Sequence, residues 1–361
     1  MGAFNRLRRR DIKIGAIGHA SYLFETAAGT VLTDPVFFDP FEGGANTSYP
    51  PRAVDATLLP KLDCVVLSHR HFDHFDIRTL STLDRKVMVF YPAGEELIEK
   101  ALTELGFHRR RGLHPWSKAR TGALELIATP SRVEWPELGL IIRDGHTTVW
   151  SLIDTIVDGG VVDTAREQVG KVDCLLAQYC PLLQYELRDP TSCKNLDVVE
   201  YEQMLSMVRL ADPDIVIPSA GGLRYAVAGW QDCYGFPVTP TRFLSDLRLA
   251  GVSAEGVVLD PGDSCERLDS GWVTRRQAAP CVRRTSFDDY ALWQHNPAVG
   301  IPPFIDSNPL FSPSEEAYEF ALRYITGQLI DDLLHPANAD ALASWRRWRL
   351  TWRLDLYAPE G

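Results

Sequence analysis

The sequence lacks the features of several protein classes. It contains no run of about 20 apolar residues, so no membrane-spanning helix is expected. Its seven cysteines are odd in number and include no Cys-x-x-Cys pair, which argues against a disulfide framework or a zinc ribbon. The basic residues near the start precede no apolar stretch, so no secretory signal is expected. We therefore predict a cytoplasmic protein with reduced, mostly buried thiols.

Positive charge is scarce relative to negative charge. The chain of 361 residues has 37 Lys and Arg against 48 Asp and Glu, for a formal net charge of −11. Such a surface repels phosphate backbones, so nucleic acid is not an expected partner. The composition, 45% apolar and 24% charged, is that of a folded globular protein rather than a disordered or fibrous one. We expect the partner to be a small-molecule substrate.

The order of the predicted elements indicates an α/β protein. The pattern predicts strands at 12–17, 20–26, 30–33, 63–68, 123–128, 138–143, 147–153, 172–177, 214–218 and 256–260. It predicts helices at 94–105, 162–169, 197–210, 241–250, 313–334 and 338–356. Strands grouped early, followed by alternation of strand and helix, favour sheets that are covered by helices.

The chain is predicted to divide near residue 270. Residues 1–270 would form the catalytic domain, and 271–361 would form a mainly helical C-terminal extension that packs on it. Trp345, Trp348 and Trp352 follow a helical spacing in this extension, with arginines between them. This stripe would pack on the body of the protein, form a homodimer interface or line a substrate cavity, and the sequence leaves these alternatives open.

One segment contains a cluster of metal-ligating residue types. Three of the nine histidines stand within six residues, in a His-x-His-x-Asp-His run that begins at His69 and directly follows a predicted buried strand. His69 and His71 can point the same way at a strand end because side chains alternate along a strand. Asp73 and His74 can then approach from the following turn. Neutral imidazoles with a carboxylate suit Zn, Fe or Mn, so we predict a metal site.

This run after an apolar strand resembles the signature of the metallo-β-lactamase superfamily. Gly18-His19-Ala20-Ser21 and Leu32-Thr33-Asp34-Pro35 resemble the branch with ascorbate-phosphate lactonases and N-acyl-phosphatidylethanolamine phospholipases. The resemblance covers roughly residues 11–265. It implies an αββα sandwich, in which two β-sheets pack face to face with helices outside. It also implies that Asp34 orients a ligand histidine from behind, as metal-bound imidazoles require.

The resemblance implies further ligands later in the chain. Asp154, after the predicted strand 147–153, matches the carboxylate that bridges two cations in this superfamily. The superfamily's two later histidines have no counterpart at the expected places, 129–139 and 218–222. The site would then hold one metal firmly, or carboxylates and a distant residue would complete it.

Two glutamates and one distant histidine are candidates for the missing positions. Glu137 is the first choice because it stands next to a strand start, and Glu134 is the second. A carboxylate here resembles the diiron β-hydroxylases of this fold, and oxygen donors stabilise bridged diiron centres. His295 could reach the site if the C-terminal segment folds over it. We therefore expect two divalent metal ions, with Fe favoured and Zn or Mn as alternatives.

Catalytic and supporting roles are predicted for four residues around the motif. Asp73 would orient a nucleophile, and His19 would carry a proton or support the ligands from behind. Tyr225 is a further catalytic candidate. Asp76, at the end of the motif, would support the ligands as Asp34 does.

Substrate contacts are predicted in loops that follow strands. Tyr179 follows the predicted strand 172–177, and Ser219 and Arg224 follow 214–218. Loops after strand ends line the ligand crevice in α/β proteins, and Arg224 could bind a carboxylate or phosphate. The segment 35–60, rich in proline and glycine, is predicted to be a long irregular loop of the kind that is often functional.

Two enzyme classes remain open. The first is a diiron enzyme that activates O₂ to oxidise a small biosynthetic substrate, and the ligand types favour it slightly. The second is a hydrolase in which a metal-activated water attacks an ester, a lactone or a phosphodiester. A metal-stabilised binding protein without turnover is a third and less favoured reading.

Overall fold

The structure is a computed structural model that describes residues 12–181, 196–226, 232–285, 319–320, 322–333 and 335. The chain forms two compact units, Met1–Ile301 and Pro302–Gly361. All of the strands found among the described residues belong to the first unit.

The first sheet of this unit has eight strands. In spatial order they are β18 (Gly271–Arg275), β17 (Ser264–Leu268), β1 (Lys13–Gly18), β2 (Ser21–Thr26), β3 (Gly29–Thr33), β6 (Cys64–Val66), β7 (Met88–Pro92) and β8 (Arg110–Leu113). The pairs from β18 to β3 are antiparallel, and β3, β6, β7 and β8 run parallel. Every residue of β6 is buried, which is why this strand reads as a continuous apolar run.

The second sheet has seven strands. In spatial order they are β16 (Glu255–Gly256), β14 (Ile215–Ser219), β13 (Cys174–Gln178), β12 (Thr148–Ser151), β11 (Leu138–Arg143), β10 (Leu124–Pro130) and β9 (Lys118–Thr121). The strands from β9 to β12 are antiparallel, and those from β12 to β16 are parallel. The carboxyl ends of β12, β13 and β14 therefore lie at one edge of the sheet.

Six helices of the first unit are described. They are α1 (Ile77–Leu80), α2 (Glu96–Glu104), α3 (Gly159–Val169), α4 (Val198–Ala211), α5 (Asp232–Gly235) and α6 (Pro240–Leu249), with 3₁₀ turns at Glu42–Gly44 and Ala56–Leu58. Asp158, Asp197 and Thr239 accept backbone N–H groups in the first turns of α3, α4 and α6. These side chains are N-caps, and they explain where the three longer outer helices begin.

The buried apolar side chains lie in three layers that make the unit an αββα sandwich. The central layer joins the two sheets and includes Ile14 and Val66 of the first with Leu126 and Ile217 of the second. A second layer packs α1 and α2 on the outer face of the first sheet. A third packs α3, α4 and α6 on the outer face of the second sheet. The predicted fold class is confirmed.

The segment 35–60 is more regular than the predicted loop. It contains β4 (Asn46–Ser48) and β5 (Arg52–Val54), which pair with β15 (Leu223–Tyr225) and β19 (Val282–Arg284). These partners are far away in sequence, and local pattern cannot reveal such pairing because strand formation depends on context.

The stretch around 256–284 also differs from the prediction. The predicted strand 256–260 overlaps a strand of the structure only at its first residue, in the short β16. The strand β17 was not predicted. The strands β18 and β19 occupy residues predicted to begin the helical extension, and β18 pairs with β17. Sheet pairing overrides the local pattern here.

The described residues of the second unit are helical. A π-helical turn, Tyr324–Gln328, continues into α7 (Leu329–Leu333). Both lie within the predicted helix 313–334. The tryptophan stripe lies outside the described residues, so the division of the chain near 270 and the homodimer stay predictions.

Neither a membrane helix nor a disulfide is found in the described part of the chain. No helix there is long and apolar enough to cross a membrane. Unpaired and buried cysteines are found at five positions: Cys64, Cys174, Cys180, Cys265 and Cys281. Burial raises the pKa of the Cys180 thiol to about 12, so this thiol is protonated and unreactive at neutral pH.

Candidate metal centre

The His-x-His-x-Asp-His segment forms a tight turn between the end of β6 and the start of α1. The backbone N–H groups of His74 and Phe75 donate to the carbonyl oxygen of His71 at 3.0 and 2.8 Å. Phe75 is fully buried and anchors the turn in the layer under α1. The motif is therefore shaped by its own turn and by the helix that follows it.

Three imidazole rings of this turn converge. Nε2 of His69 lies 2.9 Å from Nδ1 of His71, and the ring centroids of His69 and His74 are 4.2 Å apart. His69 and His74 are fully buried, whereas His71 is exposed. A contact between two neutral imidazole nitrogens can form at most one hydrogen bond. Hydrogen bonds among the rings therefore do not by themselves explain why three of them converge.

Asp34 lies behind the turn and holds His74. It follows β3 and is fully buried. Its Oδ2 accepts hydrogen bonds from Nδ1 of His74 at 3.0 Å and from Oγ of Ser68 at 2.7 Å, and its Oδ1 accepts the N–H of Ser68 at 2.7 Å. An ionised carboxylate only accepts, so Nδ1 of His74 carries a proton and Nε2 faces the centre. Asp34 thus lies where an orienting carboxylate is needed.

Asp154 approaches from the second sheet, just after β12. Its Oδ2 lies 3.1 Å from Nε2 of His74 and 3.9 Å from Nε2 of His69. Nε2 of His74 and Oδ1 of Asp154 are buried without a hydrogen-bond partner. One ligand atom from each of the three residues lies within 4.8 Å of the others. A shared cation with bonds of about 2.0–2.2 Å would fit among them.

Of the two candidate glutamates, Glu137 lies beside the cluster. Its Oε1 is 3.7 Å from Nδ1 of His69, and its Oε2 is buried without a hydrogen-bond partner. The backbone accounts for this position, because the N–H of Leu138 donates to the carbonyl oxygen of Ser68 at 3.1 Å. Glu134 is exposed. Glu137 is therefore the better placed of the two, and its ligation stays a prediction.

His19 contacts the cluster from the turn between β1 and β2. Its Nε2 lies 3.1 Å from Oδ2 of Asp73, and that oxygen lies 3.5 Å from Nε2 of His74. Phe41 stacks on the His19 ring at 6.1 Å. His19, Asp73 and His74 form a second group whose ligand atoms lie within 4.8 Å of one another. The residue predicted to carry a proton is thus in direct contact with the predicted catalytic carboxylate.

Burial and neighbouring charges control protonation in the cluster. Burial holds the pKa of His69 well below its usual value. At His74 burial acts in the same direction, but Asp154 and Asp73 outweigh it and hold the pKa well above the usual value. The nearby imidazoles in turn outweigh burial at both carboxylates and keep their pKa values low. Burial raises the pKa of Glu137 to about 7.

The donor set fits a divalent cation. Imidazole nitrogens and carboxylate oxygens are the donors that Zn, Fe and Mn bind in proteins. Buried polar atoms without partners are costly, and Nε2 of His74 and Oδ1 of Asp154 are two of them within one group of candidate ligands. A cation there would satisfy them and would displace the proton from Nε2 of His74 as it bound.

Two predicted residues have other contacts. Asp76, predicted to support the ligands, instead caps α1: its Oδ1 accepts from N and Nε of Arg78 at 3.1 Å, and its Oδ2 accepts from Oγ1 of Thr79 at 2.8 Å. An aspartate just before a helix satisfies the free N–H groups there, and this local role prevails. Tyr225 is half-buried, and its ring packs on Phe236 at 5.4 Å. Its predicted catalytic role gains no support from that contact.

The predicted substrate residues lie at the ends of β13 and β14 and in β15. The guanidinium of Arg224 lies over the ring of Tyr49 at 4.9 Å. Tyr179 is buried and donates its hydroxyl to the carbonyl oxygen of Gly221 at 2.7 Å, a contact that holds the loop. Ser219 is buried, and its Oγ has no hydrogen-bond partner. Substrate contact by these residues stays a prediction.

His295, proposed as a distant ligand, lies outside the described residues. Sequence reasoning missed Ser68, whose Oγ lies 2.9 Å from Nδ1 of His69. It also missed Glu42, whose pKa is raised by burial and then by the charge of Asp73. A serine directly before a motif histidine could have been noticed as a hydrogen-bonding partner of that histidine. Nothing in the local pattern marks Glu42.

The sequence profile of a known family matches this region. Residues 30–219 match the family described as "Beta-lactamase superfamily domain". The match covers more than half of the chain. It includes the motif turn, Asp34, Glu137 and Asp154.

Known proteins with related sequences are longer than this chain. A "Putative Rieske 2Fe-2S iron-sulfur protein" of Mycolicibacterium smegmatis is 26% identical over 283 residues, 71% of this chain and 53% of that protein. The "N-acyl-phosphatidylethanolamine-hydrolyzing phospholipase D 1" of Caenorhabditis elegans is 27% identical over 145 residues, 38% of this chain and 35% of that protein. The chain thus spans about half of the first relative and a third of the second.

Solved structures of both predicted enzyme classes share the fold. CmlA, a diiron beta-hydroxylase from Streptomyces venezuelae, has a TM-score of 0.51 and 18% identity, with 74% of this chain and 54% of that chain covered. A "possible metal-dependent hydrolase" from Veillonella parvula has a TM-score of 0.52 and 15% identity, with 71% and 98% covered. Identities this low show the fold alone.

Proposed function

The chain belongs to the β-lactamase superfamily domain family, and on that basis we propose that it is a metal-dependent enzyme with a two-ion centre. We propose further that the ions are iron and that the enzyme activates O₂ to oxidise a small substrate. The observation that supports iron and O₂ chemistry is the position of Glu137. Its carboxyl group is buried beside His69, and the carboxylate of Asp154 also lies near His69. Imidazoles combined with carboxylates are typical of non-haem iron oxygenases.

The ligands would divide into two groups around Asp154. His69, His71 and Glu137 would hold one ion. Asp73 and His74 would hold the other, and Asp154 would lie between the two.

The residues around the ligands would hold the ligand side chains in position for metal binding. Asp34 holds His74 in the tautomer that presents Nε2, and Ser68 links Asp34 to His69. Phe41 stacks on the His19 ring at 6.1 Å, and buried Phe75 anchors the motif turn. Exposed His71 marks the side that stays open to substrate.

The reaction would be a hydroxylation or a related oxidation. Bound iron would supply the electron transfer that O₂ reduction needs. In a hydroxylation, one oxygen atom of O₂ enters a C–H bond of the substrate and the other leaves as water. A reductant supplies two electrons and two protons. Neighbouring imidazoles hold the pKa of Asp73 well below its usual value, so Asp73 would remain a carboxylate beside Nε2 of His19.

Metal analysis combined with O₂ reactivity tests this proposal. The chain is purified without added metal, its iron and zinc are counted, and it is reduced anaerobically and freed of reductant before O₂ is added. We expect about two iron ions per chain and rapid reoxidation that consumes O₂. A colourless, zinc-loaded protein whose reduced sample ignores O₂ would end the proposal.

The second candidate is hydrolysis of an ester, a lactone or a phosphodiester. It is favoured by the contact of Asp73 with His19, which could orient and deprotonate a nucleophilic water. The relative from Caenorhabditis elegans is itself named as a phospholipase. Turnover of a nitrophenyl phosphodiester or ester with Zn or Mn, abolished by Asp73→Ala, would establish this class and displace the first.

The setting of the enzyme is also proposed. Free, buried cysteines among the described residues support a reducing, cytoplasmic location. A homodimer through the C-terminal helices remains a proposal that sedimentation of the full chain would test.

A further inference from the structure

His19 reaches the centre from a distant part of the chain, 54 residues before Asp73. We propose that His19 is a ligand of the second ion, bound through Nε2 together with Asp73 and His74. This inference rests on the two-ion centre proposed above. The turn between the first two strands would then supply an imidazole ligand in addition to the ligands of the motif and of the second sheet.

The distances between donor atoms fit a shared cation. With metal bonds of about 2.0–2.2 Å, two donors on one ion lie about 2.8–3.6 Å apart. Oδ2 of Asp73 lies 3.1 Å from Nε2 of His19 and 3.5 Å from Nε2 of His74. Nε2 of His74 lies 3.1 Å from Oδ2 of Asp154. His19 thus extends a chain of donors whose spacing suits one ion.

The backbone holds His19 in place at an energetic cost. Its φ of 49° lies in the left-handed region, where a non-glycine residue is destabilised by about 1 kcal/mol or more. Its side chain is only 3% exposed. The ring stands between Phe41, stacked at 6.1 Å, and His74, edge-on at 5.1 Å. Such strain persists where packing fixes the residue, and it clusters at functional sites.

The second ring nitrogen of His19 is compatible with ligation. Nδ1 of His19 and Oγ of Ser219 are both buried without partners, and both residues line one small cavity. If Nε2 binds a metal, Nδ1 carries the proton and can donate across this cavity towards Ser219, whose hydroxyl can accept. A metal-bound histidine needs such an outlet for its other N–H.

Cobalt titration of the metal-free full chain tests the proposal. The variant His19→Gln keeps a donor that can reach Asp73 but is a poor ligand. His146→Gln is the matched control, because His146 is exposed in a hairpin turn. We expect the wild-type chain and His146→Gln to bind two equivalents of Co²⁺ with distinct visible spectra. In His19→Gln the first equivalent should bind normally, and the second should bind at least about 100-fold more weakly, since loss of outer partners already costs about 10–100-fold.

A cavity variant supplies a second measurement. Glycine accepts the φ of 49° without strain, so His19→Gly should fold and leave room for an added imidazole. Imidazole should then restore the second cobalt spectrum, which a purely structural role of His19 would not allow.

The outcomes distinguish the inference from the function on which it rests. A wild-type chain that binds fewer than two cobalt ions overturns the two-ion centre, and the inference with it. A His19→Gln variant that binds both ions like the wild type overturns only the inference. Equal weakening of both equivalents, or no rescue by imidazole, also counts against ligation by His19.

Discussion

The two sides of the candidate centre differ in the donors that they supply. Loops that follow strands of the first sheet bring imidazoles to the cluster: His19, His69, His71 and His74. Within the described residues, the second sheet brings carboxylates only, from Glu137 and Asp154. The first side therefore prefers softer metals such as zinc, and the second side shifts the preference towards iron and manganese.

The two sides also differ in how firmly they are held. On the first side, Asp34 and Ser68 are hydrogen-bonded to the imidazoles and to each other. On the second side, Oε2 of Glu137 and Oδ1 of Asp154 are buried and have no hydrogen-bond partner. The first side is thus partly held without a cation, although Nε2 of His74 is buried without a partner there too, whereas neither unpartnered oxygen of the second side has such support until a cation binds. Changes on the second side should therefore have the larger effects on metal uptake.

The largest effect is expected from Asp154→Ala. This change removes the oxygen that faces both His69 and His74, and it removes the main charge that supports protonated His74. We expect Co²⁺ affinity to fall by at least about 100-fold, as measured by titration of the metal-free chain. Asp154→Asn keeps the shape without the charge and should lose nearly as much. Retention of two ions by either variant would show that the second side is dispensable.

Glu137→Gln should weaken the metal site and stabilise the metal-free protein. Burial raises the pKa of Glu137 from its usual value of 4.5 to about 7 in the folded chain. Between these values the folded state binds more protons than the unfolded state, so folding stability falls as pH rises through this window. Removing the carboxyl group should therefore raise the unfolding free energy by about 2–3 kcal/mol at about pH 8 and by little near pH 4.5.

Urea unfolding of metal-free protein at both pH values checks this sign. Glu134→Gln is the matched control, because Glu134 is an exposed carboxylate on the same loop. It should give no comparable pH-dependent gain in stability and should leave the metal affinity unchanged. We expect cobalt binding by Glu137→Gln to weaken about 10-fold or more. A gain in stability that did not vary with pH would contradict the burial of an ionisable group at this position.

An effect smaller than that of Asp154→Ala is expected on the first side, from Asp34→Asn. The amide can donate to His74 and favour the wrong tautomer, so metal affinity should fall by about 10–100-fold. Asp76→Ala is the comparison, because Asp76 caps α1 instead. It should lower the unfolding free energy by about 1 kcal/mol and leave cobalt binding unchanged. Equal losses of affinity in the two variants would mean that the cap also supports the ligands.

The first side was readable from the sequence because its parts are local. The motif is contiguous, and Asp34 stands directly after a strand. The second side was readable only in part. Asp154 was found by its place after a strand, but the choice between Glu134 and Glu137 depends on the N–H of Leu138 meeting the motif loop.

Other failures have the same physical origin. The segment 35–60 is ordered by pairing with strands near 224 and 283, which leave no local trace. The role of Asp76 is ambiguous in the sequence because an aspartate before a helix can support ligands or cap the helix; the structure shows the cap, and support of the ligands stays a prediction.

The last prediction is a small difference in stability between two variants at the backbone that presents Asp154. Ile153, the residue before it, has a φ of 57°, a conformation that is costly for a β-branched residue. Its side chain is buried in a small cluster with Ala20 and Ala220. Ile153→Ala should lose this packing and keep the strain, and it should cost about 2–5 kcal/mol. Ile153→Gly should lose the same packing but relieve the strain, so it should be more stable than the alanine variant by about 1 kcal/mol.

Val157 is the control for this order, because it is buried in the same segment and is not among the residues with positive φ. There alanine should be more stable than glycine by about 0.5–1 kcal/mol. The reversal between the two positions, measured by thermal unfolding of metal-free protein, isolates the backbone from the side chain. The same order at both positions would mean that Ile153 is held by packing alone. The backbone next to Asp154 would then carry no more strain than the rest of the second side.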